Sequence, residues 1–452
     1  MSLVTEPTDV TAMATVTMNP PVPACAPPLP QSLLPGSARV HSDGHLFIGE
    51  VDVLDLVAEV GTPALVYDEG HLRRRCQQAV AAFGPGVAYA SKAFLCKAMA
   101  LLVAEEGMNI DVSSGGELLV ALAAGVEASR LVMHGNNKSD DELATALDHG
   151  IGRIVVDSFD EIARLERLAP GHTTGRRPAV LIRLNPGTRP HTHAHVATGQ
   201  EDSKFGFSLA SGAAAAAAAR LRRRGSPVEL VGVHTHMGSQ IFDPADYLEG
   251  IARAAAFLVP LGLGELCVGG GFGVSCDGEE HERSLSQWGA LIHELCRRAG
   301  VPESVRISAE PGRAIAATAA VTCYTIGTVK ELPGLRTYVS VDGGMSDNLR
   351  PALYGSRYQA FLPRATLAQR TKLVTVAGKH CESGDVLVRN GHLPDDTAVG
   401  DVLAIPVTGA YCYAMASNYN KVPRPPVVFV NGSRHRVVVR RETDADLLRL
   451  DS

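Results

Sequence analysis

Residues 230–273 read LVGVHTHMGSQIFDPADYLEGIARAAAFLVPLGLGELCVGGGFG. An apolar run at 230–233 ends in polar residues, a helical pattern covers 244–259, and a second apolar run at 265–268 ends in glycines. Apolar strands alternating with helices predict parallel βαβ units, because crossover helices cover both faces of such a sheet. Outward from this stretch the theme recurs. Further runs lie at 87–91, 108–112, 130–133, 153–156, 179–184 and 305–309, with helical patterns at 117–124, 140–149, 159–168, 211–224 and 284–298. Eight such runs predict a (β/α)8 TIM-like barrel, which takes about 250 residues. An open doubly wound sheet is the alternative.

Polar residues follow each run. In order they are Lys92, Asp111 with Ser113, His134 with Asn136, Asp157, Arg183 with Asn185, His234 with His236, Gly269 to Gly271, and Glu310 with Arg313. A barrel gathers the C-terminal ends of its strands on one face, where active sites sit. The string therefore predicts one polar mouth.

Beyond Arg313 the pattern changes. Strand-like stretches at 321–329, 337–341, 372–376, 402–406 and 427–430 alternate with Gly and Pro turns, and little helix is visible except near 444–450. This predicts an all-β domain, a β-sandwich or β-barrel, over 314–452. Residues 37–60, with a strand at 45–48, are expected to join it, leaving 61–313 to the barrel. Residues 1–36 are rich in Pro, Thr, Ala and Val and are expected to form a disordered leader, with a short docking segment as the alternative.

Composition narrows the function. A net charge of −6 gives no reason to expect nucleic-acid binding, which needs clustered Lys and Arg. The one basic run, Arg222 to Arg224, follows an alanine-rich helix and reads as a solvated helix end. The nine cysteines are scattered without paired spacing, which suggests a reducing compartment, the cytoplasm. No apolar run reaches the roughly 18 residues a membrane span needs, and the N-terminus lacks the basic and apolar regions of a secretory signal.

Several residues carry chemistry. Lys92 ends the first barrel strand, where a lysine can form a Schiff base with a cofactor aldehyde; confinement is expected to lower its pKa, and an ordinary surface lysine is the alternative. Glu310 could pair with a protonated pyridine nitrogen, keeping the ring electron-accepting, or simply with Arg313. The glycine run 269–273 fits phosphate binding after a late barrel strand and lacks the spacing of a Rossmann or P-loop fingerprint. His234 and His236 share one side of a strand. Zinc is a rival, but no further His/Cys cluster has metal spacing, and an imidazole stacked on a flat cofactor fits better. Cys381, beside Glu382, could donate a proton or merely pack.

These motifs, in this order, resemble the fold-type III pyridoxal-phosphate-dependent decarboxylases. They are YASKA (89–93), HGNNK (134–138), GVHTHMGSQ (232–240), the glycine run, EPGR (310–313) and CESGD (381–385). VDGGMSDNLRPALYG (341–355) and GAYCYAMASNYN (409–420) resemble the diaminopimelate decarboxylase branch in particular. The resemblance covers residue 61 to the C-terminus. It implies a barrel plus β-domain and a head-to-tail homodimer with active sites at the interface. It also implies pyridoxal 5'-phosphate on Lys92, His236 against the ring and Glu310 on the pyridine nitrogen. Ser239, Gly271 and Tyr411 would hold the phosphate, with Asp111, Gly270, Gly312 and Arg313 completing the cofactor site. Arg313, Arg350, Tyr354, Glu382 and Tyr411 would bind a small amino-acid substrate. Cys381 and Glu382 would come from the partner subunit, Cys381 as proton donor and Glu382 as reader of the distal ammonium. The branch removes the carboxylate at the D centre of meso-diaminopimelate and releases L-lysine.

The chain departs from the family core in its Pro/Ala-rich leader and in the histidine-rich stretch 191–199, where His195 stands in place of an aromatic residue. The rivals are a decarboxylase of ornithine, arginine or a specialised-pathway analogue, a racemase on the same barrel, and a non-enzymatic paralogue. Arg350 with Glu382 argues against the first, because a simple diamine precursor has no distal carboxylate. A paralogue without activity should have lost Lys92 or Cys381, and both are present.

Overall fold

The structure is a computed structural model, and it describes residues 25–171, 176–187 and 202–452. His191, His193 and His195 lie outside the described residues.

The eight expected strands form. They are Ala88–Ala90, Asn109–Val112, Leu131–Met133, Arg153–Val156, Ala179–Asn185, Glu229–Thr235, Glu265–Cys267 and Arg306–Ser308, paired in parallel and in chain order. A short strand, Phe207–Ser208, adds to Ala179–Asn185. The first and last strands meet: the amide of Ala88 donates to the carbonyl of Ala309 at 3.0 Å, and that of Ala90 to Pro311 at 3.3 Å. These two bonds close the sheet into a barrel and exclude the open doubly wound alternative. Ala88, Val132, Val155 and Leu181 pack together inside it, as one cluster apart from the main core. Side-chain caps set the helix starts: Ser139 and Glu142 form a capping box before Asp140–His149, Ser158 caps Phe159–Leu168, and Ser284 with Gln287 caps Leu285–Arg298.

The second domain is a mixed sheet in the order Val386–Leu393, Lys372–Ala377, Arg336–Val341, Ala320–Leu332, Ala64–Asp68, Val427–Asn431, Arg434–Val439, with Val402–Pro406 also on Ala320–Leu332. The 13-residue strand Ala320–Leu332 is its spine. Three expectations need correction. The strand Ala64–Asp68 lies beyond the boundary expected at residue 60, yet it belongs to this sheet, antiparallel to Ala320–Leu332 and parallel to Val427–Asn431. The expected leader is too long. Ala26 bridges to Arg370, a 3-10 turn covers Gln31–Leu33, and Leu29, Leu33 and Leu34 are buried in the core, so residues 25–36 dock on the fold. Helix is also present where little was expected, at Arg313–Ala316 and Arg350–Tyr354. The strand expected at 45–48 forms as Leu46–Ile48 in a separate three-stranded sheet, tied to the second domain's loops by hydrogen bonds from Glu50 to Gly432 and from Thr366 to Gly44. Among the described residues, no helix is long and apolar enough to cross a membrane.

One aromatic cluster supports the mouth. Trp288 stacks on Phe272, with ring centroids 5.2 Å apart, and Tyr247 lies 5.5 Å from Trp288 and donates from its hydroxyl to the carbonyl of Gly270 at 2.8 Å. The glycine run therefore rests on a packed aromatic floor. Trp288→Ala is expected to destabilise the protein by about 3–5 kcal/mol, the range for deleting a buried large aromatic. Denaturant unfolding measures this, and a loss below about 1 kcal/mol would contradict a supporting role.

Candidate active site

Every strand end named in the sequence except Asp157 and Asn185 lines, or directly flanks, one cavity of about 360 Å³ at the barrel mouth. That volume suits a small cofactor with a small substrate. Lys92, Asp111, His236, Ser239, Gly270, Gly271, Glu310, Gly312, Arg313 and Tyr411 all line it, so ten of the expected site residues converge. Ser113, His134, Asn136, Arg183, Phe205, His234 and Gln240 line it as well.

Glu310 is the electrostatic centre. It is buried, and its two oxygens each meet an imidazole at 2.9 Å: Oε1 meets His134 Nε2, and Oε2 meets His234 Nε2. The expected alternative pairing with Arg313 does not form. Burial by itself opposes the charge, but the two histidines outweigh it and hold the carboxyl well below its usual range. Burial pulls the His234 pKa down to about 4, so its ring is neutral and donates through Nε2. Its Nδ1 is buried without a hydrogen-bond partner, which fits that tautomer: a proton there would be an orphan donor. His134, His234 and Glu310 are also the one group among the described residues whose donor atoms lie near enough to share a metal ion. The two hydrogen-bonding distances account for the arrangement without one.

Lys92 is buried, and burial by itself would depress its pKa. The Asp111 carboxylate, Tyr411 and Glu310 outweigh burial, however, and the ammonium is held above its ordinary value. The expected lowering is therefore corrected: the amine rests charged, because the cavity is acidic as well as enclosed. Burial pushes the Asp111 pKa up to about 6, with Glu310 adding to the effect and His134 opposing it. Burial, with Lys92 and Arg183 nearby, holds His236 well below its usual value. Its Nδ1 accepts from the amide of Gly270 at 3.2 Å, which leaves Nε2 to carry the proton.

The glycines are required by close approach. A Cβ at Gly270 would lie 2.3 Å from the Glu310 carbonyl, and one at Gly271, where φ is +106°, would lie 2.2 Å from the Gly238 carbonyl. No other residue fits there, so the turn lies flat along the cavity floor.

On the rim, the buried guanidinium of Arg313 lies 4.7 Å from the centroid of the Tyr411 ring. Arg350 and Tyr354 do not line the cavity itself; the buried guanidinium of Arg350 lies behind it, 5.6 Å from the Tyr411 ring and 5.1 Å from that of Tyr354. Among the described residues, neither arginine has a carboxylate in ion-pairing range; Arg350 Nη2 donates to Ser356 Oγ at 3.3 Å, and Arg350 Nε is buried with no partner. Burial lowers the Arg313 pKa, and the neighbouring Arg350 adds to this. Cys381 and Glu382 stand apart. They are exposed, on the turn between Lys372–Ala377 and Val386–Leu393, and do not line the cavity of their own chain. The pairing of His134 and His234 with Glu310 is not readable from the sequence: each stands at a polar strand end, but His134 and Glu310 are 176 residues apart.

Comparison with known proteins matches this geometry. The pyridoxal-binding domain of the pyridoxal-dependent decarboxylases matches residues 69–317. The chain is 45% identical to the diaminopimelate decarboxylase of Bacillus subtilis, over 92% of this chain and 98% of that one. It is 47% identical to that of Actinosynnema pretiosum, over 94% and 96% respectively. The diaminopimelate decarboxylase of M. jannaschii, solved with L-lysine, superposes with a TM-score of 0.83 at 31% identity, over 92% of this chain and 98% of that one. Fold and site thus define a pyridoxal-phosphate-dependent decarboxylase, a carboxy-lyase. Within that class, the chain belongs to the diaminopimelate decarboxylase family.

The residues present fit pyridoxal phosphate: an enclosed amine, a carboxylate held ionised, a neutral imidazole, a glycine floor and an unpaired guanidinium. If the ionised Glu310 is the partner of the pyridine nitrogen, Glu310→Gln is expected to retain the cofactor while kcat falls at least about a hundredfold, because a neutral amide cannot keep that nitrogen protonated. Cofactor absorbance and steady-state kinetics measure both, and an unchanged kcat would show that another group protonates the nitrogen.

Proposed function

We propose that this protein decarboxylates meso-2,6-diaminopimelate to L-lysine and carbon dioxide, with pyridoxal 5'-phosphate as cofactor. The observation that carries the substrate assignment is the pair of buried arginines around Tyr411, neither with a carboxylate in ion-pairing range among the described residues. A buried unpaired guanidinium is costly, so the pair calls for anions from outside the chain. The cofactor phosphate is one anion, and the substrate carboxylates are the others.

Lys92 would hold the cofactor, with His236 against the ring face and Glu310 on the ring nitrogen. Ser239, Gly271 and Tyr411 would hold the phosphate, with Gly270 and Gly312 completing the cofactor site, Arg313 would meet a substrate carboxylate beside it, and Asp111 would balance the charge beside Lys92 and His134. The bound cofactor supplies an electron sink for the pair left behind as carbon dioxide departs. Glu310 keeps the ring nitrogen protonated through that step. Arg350 and Tyr354 would bind the distal carboxylate, so binding energy remote from the reacting carbon orients the scissile bond.

Cys381 and Glu382 are assigned to the active site of a partner subunit in a homodimer. Their exposure on a turn outside their own cavity supports this. There Cys381 Sγ would deliver a proton to the carbon, and Glu382 would meet the distal ammonium. The nine free cysteines, most of them buried, fit a reducing compartment, and we assign the protein to the cytoplasm.

Two experiments test this. Wild-type protein is expected to prefer meso-diaminopimelate over ornithine, arginine and lysine, and Arg350→Ala should cut that preference by roughly ten- to a hundredfold. Equal efficiency on ornithine or arginine would replace the assignment with a broader amino-acid decarboxylase. Separately, mixing inactive Lys92→Ala and Cys381→Ala proteins should restore about a quarter of wild-type activity, since random pairing gives half mixed dimers, each with one intact site. No recovery despite confirmed subunit exchange would rule out shared sites.

A further inference from the structure

The turn that carries Cys381 and the loop that leads into Arg350 are joined by one buried carboxylate. Asp385 Oδ1 accepts from the amide of Met345 at 2.7 Å, and Oδ2 accepts from the amide of His380 at 2.8 Å. Met345 stands five residues before Arg350, and His380 stands next to Cys381. The carboxylate sits in a cradle. A Cβ at Gly344 would lie 2.7 Å from it, and one at Gly378 would lie 2.2 Å from it, so both backbones close directly on its oxygens.

Further bonds tie the same two segments. The amide of Lys379 donates to the Gly343 carbonyl at 2.9 Å, and His380 Nε2 lies 2.8 Å from Ser346 Oγ. The other nitrogen of that ring, Nδ1, lies 3.2 Å from Asn420 Oδ1, which also accepts from the Cys381 amide at 3.3 Å. The helix Arg350–Tyr354 packs on Val386–Leu393, the strand that leaves the Cys381 turn. Loop and turn thus form one rigid body.

On the shared-site assignment above, the two ends of that body serve different active sites. Arg350 serves its own subunit's site, and Cys381 with Glu382 serves the partner's. We propose that Asp385 is a positioning residue that couples the two active sites of the dimer, by fixing the distal-carboxylate arginine of one site and the proton donor of the other in a single rigid hub.

Mixed dimers isolated with two different affinity tags separate the two roles. In the first arm, an Asp385→Asn subunit pairs with a Lys92→Ala subunit. The one live site then has its own Arg350 loop loosened and receives an intact turn. In the second arm, a Lys92→Ala/Asp385→Asn subunit pairs with wild type, so the live site keeps its loop and receives a loosened turn. Relative to a wild-type/Lys92→Ala dimer, KM for meso-diaminopimelate should rise about tenfold in the first arm, and kcat should fall about tenfold in the second. Cofactor affinity should not change in either arm. A change in only one arm would make Asp385 a local brace and overturn the coupling, as would no change in both. If Asp385→Asn fails to fold by circular dichroism, Ser346→Ala supplies the same two arms through the His380 bond, with the same criteria. Failure of the Lys92→Ala/Cys381→Ala mixture to recover activity would instead remove the shared site itself, so the two failures are distinguishable.

Discussion

A carboxylate buried at the base of the barrel mouth organises the rest of the site. Glu310 keeps its charge because two imidazoles reach it from different strands, at 2.9 Å each. A buried anion without partners would neutralise itself. The barrel alone can bring His134, His234 and Glu310 together, because only its closed sheet sets the ends of distant strands side by side. Its charge adds to what the neighbouring groups feel. Lys92 stays cationic in spite of its burial, chiefly through Asp111 with Glu310 adding, and burial, with Glu310 adding to it, pushes the Asp111 pKa up to about 6. The cavity therefore presents a charged amine and a fixed anion facing one space.

The β-domain completes the mouth. Tyr411 comes from its loops, yet its amide donates to the carbonyl of Ala93, the residue after Lys92, at 2.8 Å. Tyr411 takes a φ of +60°, a conformation uncommon outside glycine, and such residues collect where a site imposes a geometry. Two guanidiniums approach its ring, that of Arg313 from the barrel and that of Arg350 from the second domain. One aromatic ring from the second domain thus sits near two buried guanidiniums, one from the barrel and one from its own domain.

Much of this was legible in the sequence, for a physical reason. A barrel strand is an apolar run closed by a polar residue, and all eight could be read that way. The misses also have causes. Ala64–Asp68 is buried along its whole length, so its composition matches a barrel strand although it pairs elsewhere. Val386–Leu393 contains Arg389, Asn390 and Gly391, which look like a turn, and Asn390 does take a positive φ within the strand. Arg434–Val439 is exposed and charged along its first half. The Pro-rich leader concealed Leu29, Leu33 and Leu34, which pack into the core. The histidine partners of Glu310 could be placed at strand ends but not paired, because strand-end position does not encode which neighbour a side chain faces. The charge of Lys92 differs from the expectation for a related reason: strand-end position implies burial and a nearby Asp111, but not that the carboxylate outweighs the burial.

Lys92, at this mouth, is assigned as the residue that bonds the cofactor. Borohydride reduction of the purified, cofactor-loaded protein, followed by peptide mass spectrometry, tests it most directly. The account predicts a single phosphopyridoxyl adduct on Lys92, lost when the protein is first exchanged into cofactor-free buffer containing a competing amine. An adduct on Lys138 or another lysine, with Lys92 unmodified, would contradict it.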